Sequence, residues 1–164
     1  GHEYLLISMV SLLDKYPQIK LKIAGGGPLE EPLKKFVIKN ELQNSILFLG
    51  DHKNIPMLLS ELDLWVMSSL YEGFSIALLE AMSAEVPIIA TDVGGNSEAI
   101  ISDKFGLIIP PKSPESITKS IEFMINNPDY RRKVAINSKK MFENNFTLGT
   151  MIDKLDSLYK SNKI

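Results

Sequence analysis

Two carboxylates bracket the start of one helical pattern. Glu72 stands ahead of it and Glu80 falls on its second turn, in the run Glu72-Gly73-Phe74-Ser75-Ile76-Ala77-Leu78-Leu79-Glu80-Ala81-Met82. Gly73 lets backbone come close to a ligand, and Ser75 is a preferred N-cap type. The amides beyond such a cap point outward and attract phosphate. Carboxylates on both sides would repel the phosphate itself. They would instead accept hydrogen bonds from hydroxyls flanking it. A nucleoside diphosphate sugar has that layout, with ribose hydroxyls at one end and sugar hydroxyls at the other. On spacing alone a blander account is favoured: a solvated carboxylate before a helix and a second one satisfied by a cap.

Two further glycine-bearing loops follow strand-like runs, at Gly25-Gly26-Gly27-Pro28 and at Gly94-Gly95. The first is no dinucleotide fingerprint, because Glu30 occupies the third glycine position. No phosphate loop of the G-x-x-x-x-G-K-[ST] kind occurs. Gly25–Pro28 therefore reads equally well as a tight turn or as a ligand-facing one. His52 sits in a loop, where a lone histidine is usually solvated. Asp92 ends a strand, as the phospho-acceptor of a receiver domain does.

The elements that must hold these residues alternate. Apolar runs at Leu21–Ala24, Ile46–Leu49, Leu64–Met67, Pro87–Thr91 and Leu107–Ile109 read as buried strands. Helical patterns separate them at Leu5–Tyr16, Leu29–Asn40, near Pro56, at Ser75–Ala84 and around Glu98. Strands apolar on both faces, alternating with helices, imply a parallel sheet covered on both sides. From Ser113 the chain is helical throughout, in Pro114–Asn126, Asp129–Asn144 and Thr147 to about Lys160. The fold class is α/β, a doubly wound, mostly parallel Rossmann-like sheet followed by C-terminal helices. In such sheets ligands bind at the carboxyl ends of the strands, where the three glycine loops fall. Ile117, Ile121, Phe123 and Met124 are expected to cover the sheet, and Phe142 and Phe146 to anchor the last turn.

Composition narrows the classes. The 164 residues are 45% apolar and 23% charged, ordinary values for one globular domain. No cysteine is present. That excludes disulfide scaffolds, zinc–cysteine sites, iron–sulfur clusters and thiol catalysis, and it favours a reducing compartment. A net charge of −2 argues against a nucleic-acid protein working through a basic surface. No apolar run approaches the ~18 residues of a membrane span.

The Glu72–Glu80 stretch resembles the E-x7-E signature of group 1 (family-4-type) retaining glycosyltransferases of the GT-B fold. The residues beyond it continue the likeness: Glu80-Ala81-Met82, Val86-Pro87-Ile88-Ile89-Ala90-Thr91-Asp92, then Gly94-Gly95 with Glu98. Ile23–Pro28 is similar to the family's "VGxGP" turn, and Phe48-Leu49-Gly50 and Gly106–Pro111 match later landmarks. The resemblance covers nearly the whole chain, in order. It implies that residues 1–164 form a single nucleotide-sugar-binding domain, the C-terminal half of such an enzyme. Glu80 would accept hydrogen bonds from ribose. Glu72, the catalytic candidate, would contact the donor sugar. Backbone at Gly73, Phe74 and Ser75 would follow the sugar and diphosphate, Gly95 would allow close approach, and the loop with His52 would lie near the base. The nucleotide sugar, with a lean to UDP, is a substrate; no cofactor is implied. No metal is implied either, since Asp-x-Asp is absent.

The departures from the family also carry expectations. Gly1 corresponds to the end of a segment that carries an arginine, a lysine and the first strand, so strand, cations and an N-terminal acceptor-binding domain are expected to be missing. The fragment alone would then be inactive. Location is expected to be cytoplasmic, with any membrane contact made by the absent domain. Glu85 stands where the family has glycine, and a turn of different local shape is expected there rather than one with positive φ. Ser75 stands where many members have Gly or Pro. The final helix would show Leu155, Leu158 and Tyr159 to the absent half. The rival readings are a sugar-nucleotide epimerase of the same architecture and a non-catalytic receiver or binding module.

Overall fold

The computed structural model describes residues 1–161. Thirteen elements alternate as the apolar runs predict: α1 (His2–Lys15), β1 (Leu21–Ala24), α2 (Glu30–Lys39), β2 (Ile46–Gly50), α3 (Ile55–Ser60), β3 (Trp65–Met67), α4 (Ile76–Ser83), β4 (Ile88–Thr91), α5 (Asn96–Ala99), β5 (Leu107–Ile109), α6 (Pro114–Asn126), α7 (Pro128–Asn145) and α8 (Leu148–Ser161). Each of the long helices α6 and α7 begins with proline at its first position, where the lost N–H has no intrahelical partner to miss. Ser113 caps α6 by accepting from the Ser116 amide at 3.2 Å.

All strand pairing is parallel, but the strands fall into two groups. β1 pairs with β2, and β3-β4-β5 form a second sheet. The expected single sheet is thus interrupted between β1 and β3, because no ladder crosses there.

Helices cover both faces. On one side Leu5, Leu6, Met9 and Leu12 of α1, Val37 of α2 and Ile117, Ile121 and Met124 of α6 form one core with Ile23, Ile46, Ile89 and Ile109. On the other, Leu59 of α3 and Leu78, Ala81 and Met82 of α4 pack with Met67, Ile88, Ala90 and Ile100. β4 shows the alternation: Ile89 faces the first core, Ile88 and Ala90 the second, and all three are fully buried. Phe142 and Phe146 join the second core.

Two expectations are corrected. Phe123 does not cover the sheet; it is 43% exposed and meets Tyr130 edge-on at 5.0 Å. Phe123 directly precedes Met124, about 100° around α6 from it, which turns it outward. The turn after α4 does require positive φ: Glu85 adopts φ 58°. Its side chain takes an ion pair from Lys139 of α7 at 3.2 Å. A residue with Cβ is therefore tolerated in a left-handed conformation, at a cost of about 1 kcal/mol.

Candidate functional site

The carboxyl ends of β1, β3 and β4 carry the glycine loops to one edge of the molecule. At β3 the chain leaves Met67 through Ser68 and Ser69 and reaches Glu72. The Ser69 hydroxyl donates to Glu72 Oε1 at 2.7 Å, and Glu72 is half-buried. Ser69 is itself held: the Thr91 hydroxyl, at the end of β4, donates to the Ser69 carbonyl at 2.7 Å. The buried Asn96 amide donates to the Thr91 carbonyl at 2.9 Å. A line of hydrogen bonds thus runs from α5 through β4 to the Glu72 carboxylate. Sequence reasoning missed Ser69 and Asn96 in this role; their positions directly after a strand and a Gly-Gly pair were the available signal.

Ser75 caps α4 as its type predicted, accepting from the Leu78 amide at 3.4 Å while itself buried. The amides of Ile76 and Ala77, in the first turn, have no intrahelical acceptor. Glu80 lies one turn further on and is exposed.

The Gly94-Gly95 pair packs on this loop. Gly94 has φ 52°, and a Cβ there would collide with the Glu72 carbonyl oxygen. The Gly95 amide donates to the Gly73 carbonyl at 2.6 Å, and a Cβ on Gly95 would come within 2.5 Å of the Phe74 ring. The close approach that Gly95 permits is therefore made by the Glu72–Ser75 loop. Phe74 also meets Phe146 at 5.5 Å, which ties the loop to the turn between α7 and α8. Around Gly73, by contrast, a Cβ would meet open space.

Two adjoining grooves open on this edge. One, about 330 Å³, runs between β1 and β3 and includes Ser68, Ser69, Ala77 and Glu80. The other, about 250 Å³, is formed by Gly25–Pro28 with Leu33 and Phe48. His2, Ile23 and Ala24 line both, so the surface is continuous from the β1 turn to α4. The Gly25 amide donates to the Gly50 carbonyl at 2.8 Å and joins the β1 and β2 loops. His52, in the exposed loop after β2, lines neither groove; it lies near Glu61, whose carboxyl is held below the usual carboxylate range chiefly by its hydrogen bond from Lys22. Lys20 and Lys22 line the larger groove, yet Lys20 donates to the Asn44 carbonyl and Lys22 to Glu61. Among the described residues, no group of three or more His, Cys, Asp or Glu could hold a metal ion, and no helix is long and apolar enough to cross a membrane.

Residues 1–141 match the family model described as glycosyl transferases group 1, and the chain belongs to that family. This sets aside the epimerase and receiver readings. The chain is 32% identical over 168 residues to a lipopolysaccharide core biosynthesis mannosyltransferase of Rhizobium meliloti, covering 98% of this chain and 48% of that protein. The solved C-terminal domain of a group 1 family protein from Francisella tularensis is 27% identical, with a TM-score of 0.81 over 90% of this chain and 80% of that one. An Anabaena protein, HepE, solved in complex with UDP, shares the fold with a TM-score of 0.90 at 22% identity, over 98% of this chain and 45% of that one. The chain spans less than half the length of the first curated relatives it matches.

Proposed function

We propose that the chain is the donor-binding part of a retaining glycosyltransferase that moves a sugar from a nucleoside diphosphate sugar to an acceptor in glycan or polysaccharide biosynthesis. The observation that carries this reading is the continuous groove from the Gly25–Pro28 turn to the capped start of α4, in a chain of this family. Glu80 accepts from the ribose hydroxyls. Glu72, oriented by Ser69, meets the donor sugar. Backbone at Gly73, Phe74 and Ser75 and the free amides of α4 face the diphosphate. In the transfer the bond from sugar to diphosphate breaks and a bond to an acceptor hydroxyl forms. The charge then gathering on the departing diphosphate is met by dipoles already in place. Gly95 holds the loop, and His52 lies toward the base. The UDP complex of the HepE neighbour supports uridine as that base, and the absence of cysteine agrees with a cytoplasmic setting. The acceptor is bound outside residues 1–164.

Titration of the intact enzyme with UDP and UDP-glucose tests this division of labour. Glu80→Ala weakens both alike, by about 1.5–3 kcal/mol, the worth of a charged acceptor. Glu72→Ala spares UDP and lowers affinity for the donor, kcat, or both. Equal loss of UDP affinity in the two variants would overturn the assignment.

A further inference from the structure

The loop that carries Glu72 is held at its two ends and open in its middle. At one end Glu72 accepts from Ser69, and at the other Ser75 caps α4. Between them Gly73 has no side chain, and a Cβ there would meet nothing within 4 Å. Phe74 is therefore the side chain left to hold the middle of the loop. Its ring is 42% exposed, and two surfaces touch it. One is the Gly95 backbone: a Cβ on Gly95 would come within 2.5 Å of Phe74 Cδ2 and 3.3 Å of Cγ. The other is the Phe146 ring, 5.5 Å away between centroids and inclined by 46°. At that separation tilted aromatic rings attract.

Phe146 is far from this loop in sequence, and it lies beyond residues 1–141, the span that matches the family model. Its own surroundings fix it. Its amide closes α7 by donating to the Phe142 carbonyl at 2.9 Å. Its side chain packs on the second core together with Met141 and Phe142. Just before it the Asn145 side-chain amide donates to the Met141 carbonyl at 3.1 Å, and just after it the Thr147 hydroxyl accepts from the Thr150 amide at 3.2 Å. α7 is joined in turn to the body of the fold through buried Val134, Ala135 and Ser138, and through the ion pair of Lys139 with Glu85 in the turn after α4. Helix packing thus sets the position of Phe146, and from that position its ring reaches the one ring of the Glu72–Ser75 loop.

On the reading of this edge as the nucleotide-sugar site, we propose that Phe146 is a positioning residue for the donor loop. Through the Phe74 ring it holds the loop on Gly95, so that Glu72 and the Gly73 backbone keep the placement that transfer requires. The hydrogen bond from the Gly95 amide to the Gly73 carbonyl, 2.6 Å long, is the contact that this brace keeps closed. Without the Phe146 ring the middle of the loop is left to Gly73, whose backbone is the least restricted of any residue type. A misplacement of about 1 Å at a reacting centre can cost roughly a hundredfold in rate. Glu80 and the free amides of α4 stay in place, because Leu78, Ala81 and Met82 root that helix in the core. UDP binding is accordingly spared, while the sugar end of the site loses its geometry.

The test is a mutant cycle in the intact enzyme: Phe146→Leu, Phe74→Leu and the double variant, with Phe146→Tyr as the substitution that keeps the ring. Amide hydrogen exchange is read without substrate. UDP affinity and kcat/KM for release of UDP from UDP-glucose are then measured. Phe146→Leu is expected to speed exchange at the Gly95 amide by about tenfold or more. The Trp65 amide, which donates to the Pro87 carbonyl in the sheet, serves as reference and changes by less than about threefold. Loss of core packing alone would speed both together. In the same variant kcat/KM falls by about tenfold or more, while UDP affinity changes by less than about threefold. Phe146→Tyr stays close to the parent in all three. Adding Phe146→Leu to Phe74→Leu lowers kcat/KM by less than about threefold further, because both act through one contact. Losses that multiply in the double variant overturn the proposal, and so does unchanged Gly95 exchange in Phe146→Leu. If Gly95 exchange rises but neither single substitution alters kcat/KM, the loop lies away from the donor, and the reading of the site fails along with the proposal. If Phe146→Leu does not fold, Phe146→Met takes its place in the same cycle with the same outcomes.

Discussion

Gly73 and Gly94 are neighbours in space with opposite reasons for being glycine. A Cβ at Gly73 meets nothing in the chain, and φ there is unremarkable, whereas a Cβ at Gly94 runs into the Glu72 carbonyl and φ is 52°. Gly73→Ala should therefore leave stability within about 0.5 kcal/mol, as for an ordinary surface change. If the donor lies along this backbone, the same substitution lowers donor affinity. Gly94→Ala should cost about 2 kcal/mol or more through left-handed strain and displacement of the Glu72 loop. Thermal melting paired with donor titration separates the two. A Gly73→Ala variant that binds donor as tightly as the parent would show that no ligand approaches there. At this scale the sequence was informative about residue types and silent about their supports. Ser75 was legible as a cap from its type, whereas Glu72 and Glu80 stood out through the family resemblance and not through their spacing. The hydrogen bonds from Ser69, Thr91 and Asn96 that orient Glu72 join three separate loops, and no local pattern announces contacts of that kind.

Among the elements, helices and strands were legible because periodicity reports burial, and burial here follows a plain three-layer arrangement. α6 begins and ends where its Ser-Pro start and Asn-Pro end predict. Errors arose where a position's direction depends on a tertiary neighbour. Phe123 looked like core from its type, yet α6 turns it out against Tyr130. Glu85 was expected to avoid positive φ, but the turn from α4 into β4 demands it and Lys139 supplies a partner. The two effects there can be weighed. Left-handed strain costs about 1 kcal/mol, and a half-exposed ion pair returns about 0–1 kcal/mol. Glu85→Gly should accordingly be neutral to stabilising, by up to about 1 kcal/mol or a few degrees in Tm. A fall in Tm of several degrees would mean that the link between α4 and α7 outweighs the backbone strain. Leu155, Leu158 and Tyr159 of α8 are exposed, as expected of that helix, and Met151 and Ile152 are exposed as well.

For the whole molecule, electrostatics decides how well the site can work. The two lysines that line the larger groove are engaged, one by a backbone carbonyl and one by Glu61, while Glu80 adds negative charge. In the proposed site a diphosphate would be met by the backbone amides at the start of α4. A site that also pairs the diphosphate with two cations gains about 1.5–3 kcal/mol from each, together roughly two to four decades of affinity over one that relies on amides. Residues 1–164 should thus bind UDP weaker than micromolar. The most direct measurement is a UDP titration of these 164 residues followed by amide NMR shifts, with Glu80→Ala alongside. Saturable shifts are expected at Gly25–Gly27 and at Gly73–Leu78, at sub-millimolar to millimolar UDP, and their midpoint should move to higher concentration in Glu80→Ala. Shifts confined to other surfaces, or an identical titration in Glu80→Ala, would contradict the assignment of this edge as the nucleotide-sugar site.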